Sequence, residues 1–96
     1  MRFDVFYAKN IFDYMLPDRR AELTTLAKTH VHVRTLEADS IGSVYNLMQV
    51  ERWHEVTPEY IERLGLSHTS MSAGDIVRDE QGNYWQCLMR GWQQLE

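Results

Sequence analysis

The chain has 96 residues, with 14 acidic and 10 basic side chains for a formal charge of -4, 44% hydrophobic residues and 25% charged. That balance fits one soluble domain spanning residues 1–96 and excludes a disordered tail or a multidomain enzyme. With no apolar run near the roughly 20 residues of a membrane span, no signal-like start in MRFDVFYAKN and a single Cys87, the expected setting is a reducing cytoplasm without a membrane partner.

Phe3, Val5 and Tyr7 alternate with Arg2, Asp4 and Phe6, a period of two that predicts a strand. Phe6 and Ala8 on its second face imply cover on both sides, as in a central strand. Pro17 or Asp18 then opens a helix to about Thr29, with Leu23, Leu26 and Ala27 at helical spacing. The segment VHVRTLEA predicts a second strand, with Val31, Val33 and Thr35 on one face. His30, His32, Arg34 and Leu36 fall on the other face, which is expected to be wet.

Ser40 is placed to cap a helix whose apolar stripe is Ile41, Val44, Tyr45 and Met48. Thr57-Pro58 reads as the start of a short helix carrying Tyr60, Ile61 and Leu64, closed by Gly65. The remainder is β: a strand at Asp75–Arg78, a turn around Glu80–Asn83, and a strand at Tyr84–Met89 with Trp85, Cys87 and Met89 toward one face. Arg90-Gly91 makes a bulge or second turn before Trp92–Leu95. The order implies an α+β domain: a mainly antiparallel sheet of four or five strands with two or three helices packed on one face.

The string HTSMSAGDIV at 68–77, followed by an acidic turn with Gly82 and a closing Gly91-Trp92, resembles a C-terminal signature of small bacterial, phage and plasmid proteins that include the YodL-like domain group. Those share an S-x-S-x-G-D-[IV]-[IV] start and a hairpin ending in Gly-Phe. Met48-Gln49 with Trp53 is similar to the helix end that precedes this hairpin in some of them. Here Trp92 stands in place of Phe, and Ala73 in place of the more usual Val. The resemblance covers a third to half of the chain; it implies architecture and a mobile-element context, not an activity.

The same residues have a physical reading of their own. Ser70 and Ser72 hydroxyls suit a turn, Gly74 permits a backbone angle closed to other residues, and Asp75 can accept neighbouring N–H bonds. His68 with Ser67, Ser70 and Asp75 also holds the ingredients of a hydrolytic triad, but no G-x-S-x-G elbow accompanies them. His30 and His32 could form a metal pair, although no further ligand stands at a recognisable spacing, so no metal or cofactor is expected. Cys87, mid-strand, reads as a buried small hydrophobe.

Three Trp and five Tyr are generous for this length. Trp53 and His54 lie in the polar run ERWHEVT and Trp92 follows Gly91 near the chain end; these three are the candidate partner-binding residues, since Trp is enriched at binding hot spots. The expectation is a non-enzymatic accessory or regulatory module that binds another protein, through a surface that could also serve self-association. Two alternatives stand beside it. One is a nucleic-acid-binding protein using the His30, His32 and Arg34 face, against which the negative charge argues, or a nucleic-acid-mimicking protein whose acidic surface imitates a phosphate backbone. The other is a small-ligand or hydrolytic domain centred on the His68–Asp75 loop.

Overall fold

A computed structural model describes residues 1–15, 19–49 and 57–96, without the side chains of Thr57 and Pro58. Five strands, β1 (Arg2–Ala8), β2 (His30–Glu37), β3 (Ile76–Arg78), β4 (Tyr84–Cys87) and β5 (Trp92–Leu95), form one sheet in the order β2-β1-β3-β4-β5. Every neighbouring pair is antiparallel. Among the described residues three helices accompany it: α1 (Leu26–Thr29), α2 (Ile41–Met48) and α3 (Thr57–Arg63). The expected α+β architecture is the observed one.

β1 is an inner strand, as its two apolar faces imply. Phe3, Val5 and Tyr7 enter the larger core with Val33, Leu36, Val44, Met48, Ile61, Val77 and Cys87. Phe6 lies on the other face, against a smaller core of Ala21, Ile76 and Leu95. α2 and α3 cover the first face. Leu26 of α1 and Tyr14, from a 3₁₀ turn at Ile11–Tyr14, cover the second, so the helices are divided between the faces rather than gathered on one.

α2 begins as its sequence implies: Ser40 is extended and its hydroxyl accepts from Ser43 N–H at 3.2 Å. Val44 and Met48 are fully buried, each contributing roughly 1.5–3 kcal/mol of apolar burial. α3 ends in a Schellman closure. Gly65, at φ +76°, donates to the Glu62 carbonyl, and Leu66 donates to Ile61.

The helix expected from residue 18 to 29 is much shorter. Among the described residues it comprises only a 3₁₀ turn at Leu23–Thr25 and the four residues of α1. The reason is tertiary. The Ala21 N–H donates to the Gln86 side-chain oxygen at 2.8 Å, and the Gln86 amide donates to the Arg19 carbonyl at 3.1 Å. Backbone groups that would build the first helical turn are held by the sheet instead, and Glu22 is extended.

β2 departs from strict alternation. Arg34 pairs with Val5 and His32 with Phe6, leaving Val33 as an extra residue in a β-bulge. The bulge turns Arg34 and Leu36 to the face of Val5 and Phe3, opposite His32. The anticipated face of His30, His32, Arg34 and Leu36 is therefore split. The Tyr60 hydroxyl of α3 donates to the Val33 carbonyl at 2.9 Å, so the extra residue's oxygen is satisfied from the helix layer. Met89 also departs from expectation: β4 stops at Cys87, and Met89 sits in the following turn, 78% exposed.

Candidate functional site

The His68–Asp75 segment folds into a buried knot at one end of the sheet. Asp75 is wholly buried. Its Oδ1 accepts from Ala8 N–H at 2.8 Å and its Oδ2 from Ser72 N–H at 2.8 Å. His68 Nε2 stands 3.0 and 2.9 Å from the two oxygens, so this nitrogen carries the hydrogen that faces the carboxylate. Burial pushes the Asp75 carboxyl above its ordinary range, opposed by His68 and by the Ala8 and Ser72 N–H groups.

The knot reaches four strands. The Asp75 carbonyl accepts from Cys87 N–H, and Gly74 N–H donates to the Cys87 carbonyl, both at 2.8 Å. His30 Nε2 donates to the Gly74 carbonyl at 2.7 Å, and its Nδ1 lies 2.8 Å from the Thr29 hydroxyl. Burial holds His30 below its usual pKa, which fits a neutral ring accepting from Thr29. Gly74 has φ +99°, and a Cβ there would lie 2.5 Å from Tyr14 Cβ. Conformation and close approach both require glycine at this position.

These contacts make the S-x-S-x-G-D segment a turn-forming device, the physical reading its residue types carry. Ser72 Oγ donates to the Ser70 carbonyl, and Asp75 N–H to the Ser72 carbonyl. His68 and Asp75 come together as the two polar members of a triad would. Neither serine hydroxyl reaches His68, however, whose Nδ1 is buried without a hydrogen-bond partner. The carboxylate is beyond the reach of a substrate.

Of the metal candidates, His30 is buried with both ring nitrogens engaged. His32 is exposed, with Nε2 3.0 Å from Thr35 Oγ1 and 3.6 Å from Asp4. Among the described residues no group of three or more His, Cys, Asp or Glu could hold a metal ion. Burial pushes the Cys87 thiol up to about 12, with the Asp75 charge adding to the shift.

Trp53 and His54 lie outside the described residues. Trp92 lies inside them and is half-buried, packed against the larger core. Its strand, β5, is an edge that pairs with β4 alone among the described residues. The β4–β5 turn closes with Leu88 N–H donating to the Gly91 carbonyl at 3.0 Å, and Gly91 sits at φ +76°. Beside this turn runs a groove of about 560 Å³ between α2 and the hairpin. Tyr45 and Asn46 flank it on the α2 side, with Leu88, Met89 and Trp92 opposite.

Trp85, expected in the core, is half-buried on the core face, and its indole N–H donates to Asp79 Oδ2 at 3.0 Å. Asp79 Oδ1 also accepts from Gln81 and Asn83 N–H, so one carboxylate organises the whole β3–β4 turn. Gln86 and the groove lined by Tyr45 and Met89 are not singled out in the sequence, where Tyr45 belongs only to the apolar stripe of α2 and Met89 to the face of β4. Gln86 is only 1% exposed; its place on the second face of β4, opposite Ile76, was the available signal.

No helix among the described residues is long and apolar enough to cross a membrane. Comparison with protein-family models, with curated proteins and with solved structures finds no match to this chain.

Proposed function

We propose that this protein is a non-enzymatic interaction module that takes an extended segment of another protein along β5, with Trp92 and the Leu88–Gly91 turn as its anchor surface. The observation that carries this reading is an edge strand, paired with β4 alone among the described residues, beside a groove whose wall includes the highly exposed Met89. An edge strand offers unpaired N–H and C=O groups to an incoming strand, and adjoining pockets for side chains give such pairing its specificity.

The two edges of the sheet differ in how they are guarded. β2 carries Arg34 and Glu37, the kind of charge that discourages edge-to-edge pairing. β5 reads Trp-Gln-Gln-Leu, with no charge and no proline. Trp92 supports the reading from both sides, since its ring packs on the core and also lines the groove.

The test is capture by the tagged protein from a host lysate at two salt concentrations, with mass spectrometry and nucleic-acid staining of the eluate. One stoichiometric protein, retained at both salts, is the expected result. Nucleic acid that leaves at higher salt would replace this reading with nucleic-acid binding. An empty eluate would count against both.

A further inference from the structure

We propose that the depression on the other side of the Leu88–Arg90 turn is a binding site for a small organic phosphomonoester. This depression, about 290 Å³, has an apolar interior that includes Ala73 and Leu88, and three arginines, Arg19, Arg20 and Arg90, around it. No Asp or Glu lines it among the described residues. That is a local inversion of charge on a chain whose formal charge is -4.

The backbone that carries Arg19 and Arg20 is tied to the sheet. Buried Gln86 grips the Arg19 carbonyl and the Ala21 N–H, so the backbone that bears Arg19 and Arg20 is fastened to the middle of β4. The opposite wall is also fixed. Tyr14 lies against Gly74 too closely for any Cβ, and its ring contacts the buried His30 ring at a centroid distance of 5.4 Å. Arg19 and Arg90 make no ion pair among the described residues. Asp13 and Glu22 border the far flank of Arg19 and Arg20, in a separate depression, without reaching ion-pair distance of Arg19.

Several guanidinium groups suit a dianion better than a carboxylate, because each offers planar, charge-assisted donors to phosphate oxygens. The apolar interior requires a carbon body on that phosphate. The volume is at the lower end of small-molecule sites, which restricts the body to about one ring.

The probe is phenyl phosphate, titrated by calorimetry and by amide chemical shifts, with inorganic phosphate and phenol as the two half-ligands. Phenyl phosphate is expected to bind saturably and at least about tenfold more tightly than either half-ligand, a margin of about 1.4 kcal/mol. Shifts should centre on Tyr14, Arg19 and Leu88. Arg19→Ala and Arg90→Ala, both at exposed positions, should each weaken binding about fivefold or more, the loss of one charge-assisted contact. Lys28→Ala, outside the depression, should leave affinity unchanged. Equal binding of inorganic phosphate, no saturation by about 10 mM (near the affinity floor of a useful site), or indifference to both arginine substitutions would overturn the assignment. The titration contains no partner protein, so its outcome is read separately from partner capture at β5, even though the two surfaces share Leu88 and Met89.

Discussion

The rings of Tyr7 and His68 lie face to face, with centroids 4.5 Å apart and planes 16° from parallel. Tyr7 belongs to the inner strand β1, and its hydroxyl donates to the Thr69 carbonyl at 2.8 Å. One fully buried aromatic therefore holds both the imidazole that faces Asp75 and the backbone beside it. The loop from 68 to 75 is thereby locked onto β1, and β3 leaves that loop in register with β1 and β4.

Asp75 should be a strong determinant of stability. Its two oxygens accept two backbone N–H groups as well as the His68 hydrogen. Asp75→Asn offers only one acceptor oxygen, and should lower stability by about 1–3 kcal/mol, the cost of an unsatisfied buried donor. Asp75→Ala removes both and should cost about 3–5 kcal/mol. Urea unfolding followed by fluorescence checks the order; equal stability of the three proteins would contradict it.

His30 governs a pH dependence. Burial lowers its pKa from the ordinary 6.5, so the unfolded chain takes up a proton at this residue before the folded one does. Its stabilising contribution is complete above pH 6.5 and is lost as pH falls below that value toward the folded pKa. Asp75, raised from 3.8, acts oppositely, its contribution declining as pH rises above 3.8. Asp4 and Asp79, both lowered from 3.8, act only as pH falls below that value. His30→Gln keeps a donor for the Gly74 carbonyl and removes the titration. Relative to the parent, this variant should gain stability as the pH is lowered from about 7 to 5, because Asp75 titrates in both proteins and His30 in the parent alone. Parallel curves would refute the assignment.

Gly74→Ala should be among the most damaging single substitutions of a small residue. The positive φ and the 2.5 Å approach to Tyr14 act together, with an expected loss of roughly 2 kcal/mol or more. The substitution should also displace Tyr14, visible as altered ring shifts at His30. Gly82→Ala makes a useful comparison. It shares the positive φ but has nothing within 4 Å of its Cβ, and should cost less.

Cys87 should be chemically silent in the folded protein. It is buried, and its thiol is raised to about 12, so little thiolate forms at neutral pH. Alkylation by iodoacetamide at pH 8 should proceed only as fast as the chain opens, and urea should accelerate it sharply. Rapid labelling without denaturant would show a thiolate that this packing does not allow.

Much of the fold is legible from local pattern. The alternation in β1, the Ser40 cap, the Gly65 closure and the Gly82 turn each rest on residues whose conformational preferences act within a few positions. The departures have tertiary causes. The helix before Thr29 shortens because Gln86, more than 60 residues away in sequence, takes its first backbone groups. The β2 alternation fails because a bulge at Val33 is stabilised by Tyr60 from α3. Neither partner is visible by periodicity. The turn chemistry of Ser72, Gly74 and Asp75 was legible because those residue types have few other uses together. The groove beside Trp92 was not, because it forms between α2 and a hairpin that approach each other only in three dimensions.

The most direct test of the interaction reading is the affinity of the captured partner for Met89→Asp, measured by calorimetry alongside the parent and Trp92→Ala. Trp92 is partly in the core, so its loss should weaken both binding and stability. Met89 is 78% exposed and makes no core contact in either cluster, so its replacement should leave the melting temperature within about 1–2 °C, as surface changes usually do. Met89→Asp should weaken partner binding at least about tenfold. Undiminished affinity of a correctly folded Met89→Asp protein would contradict binding at this edge.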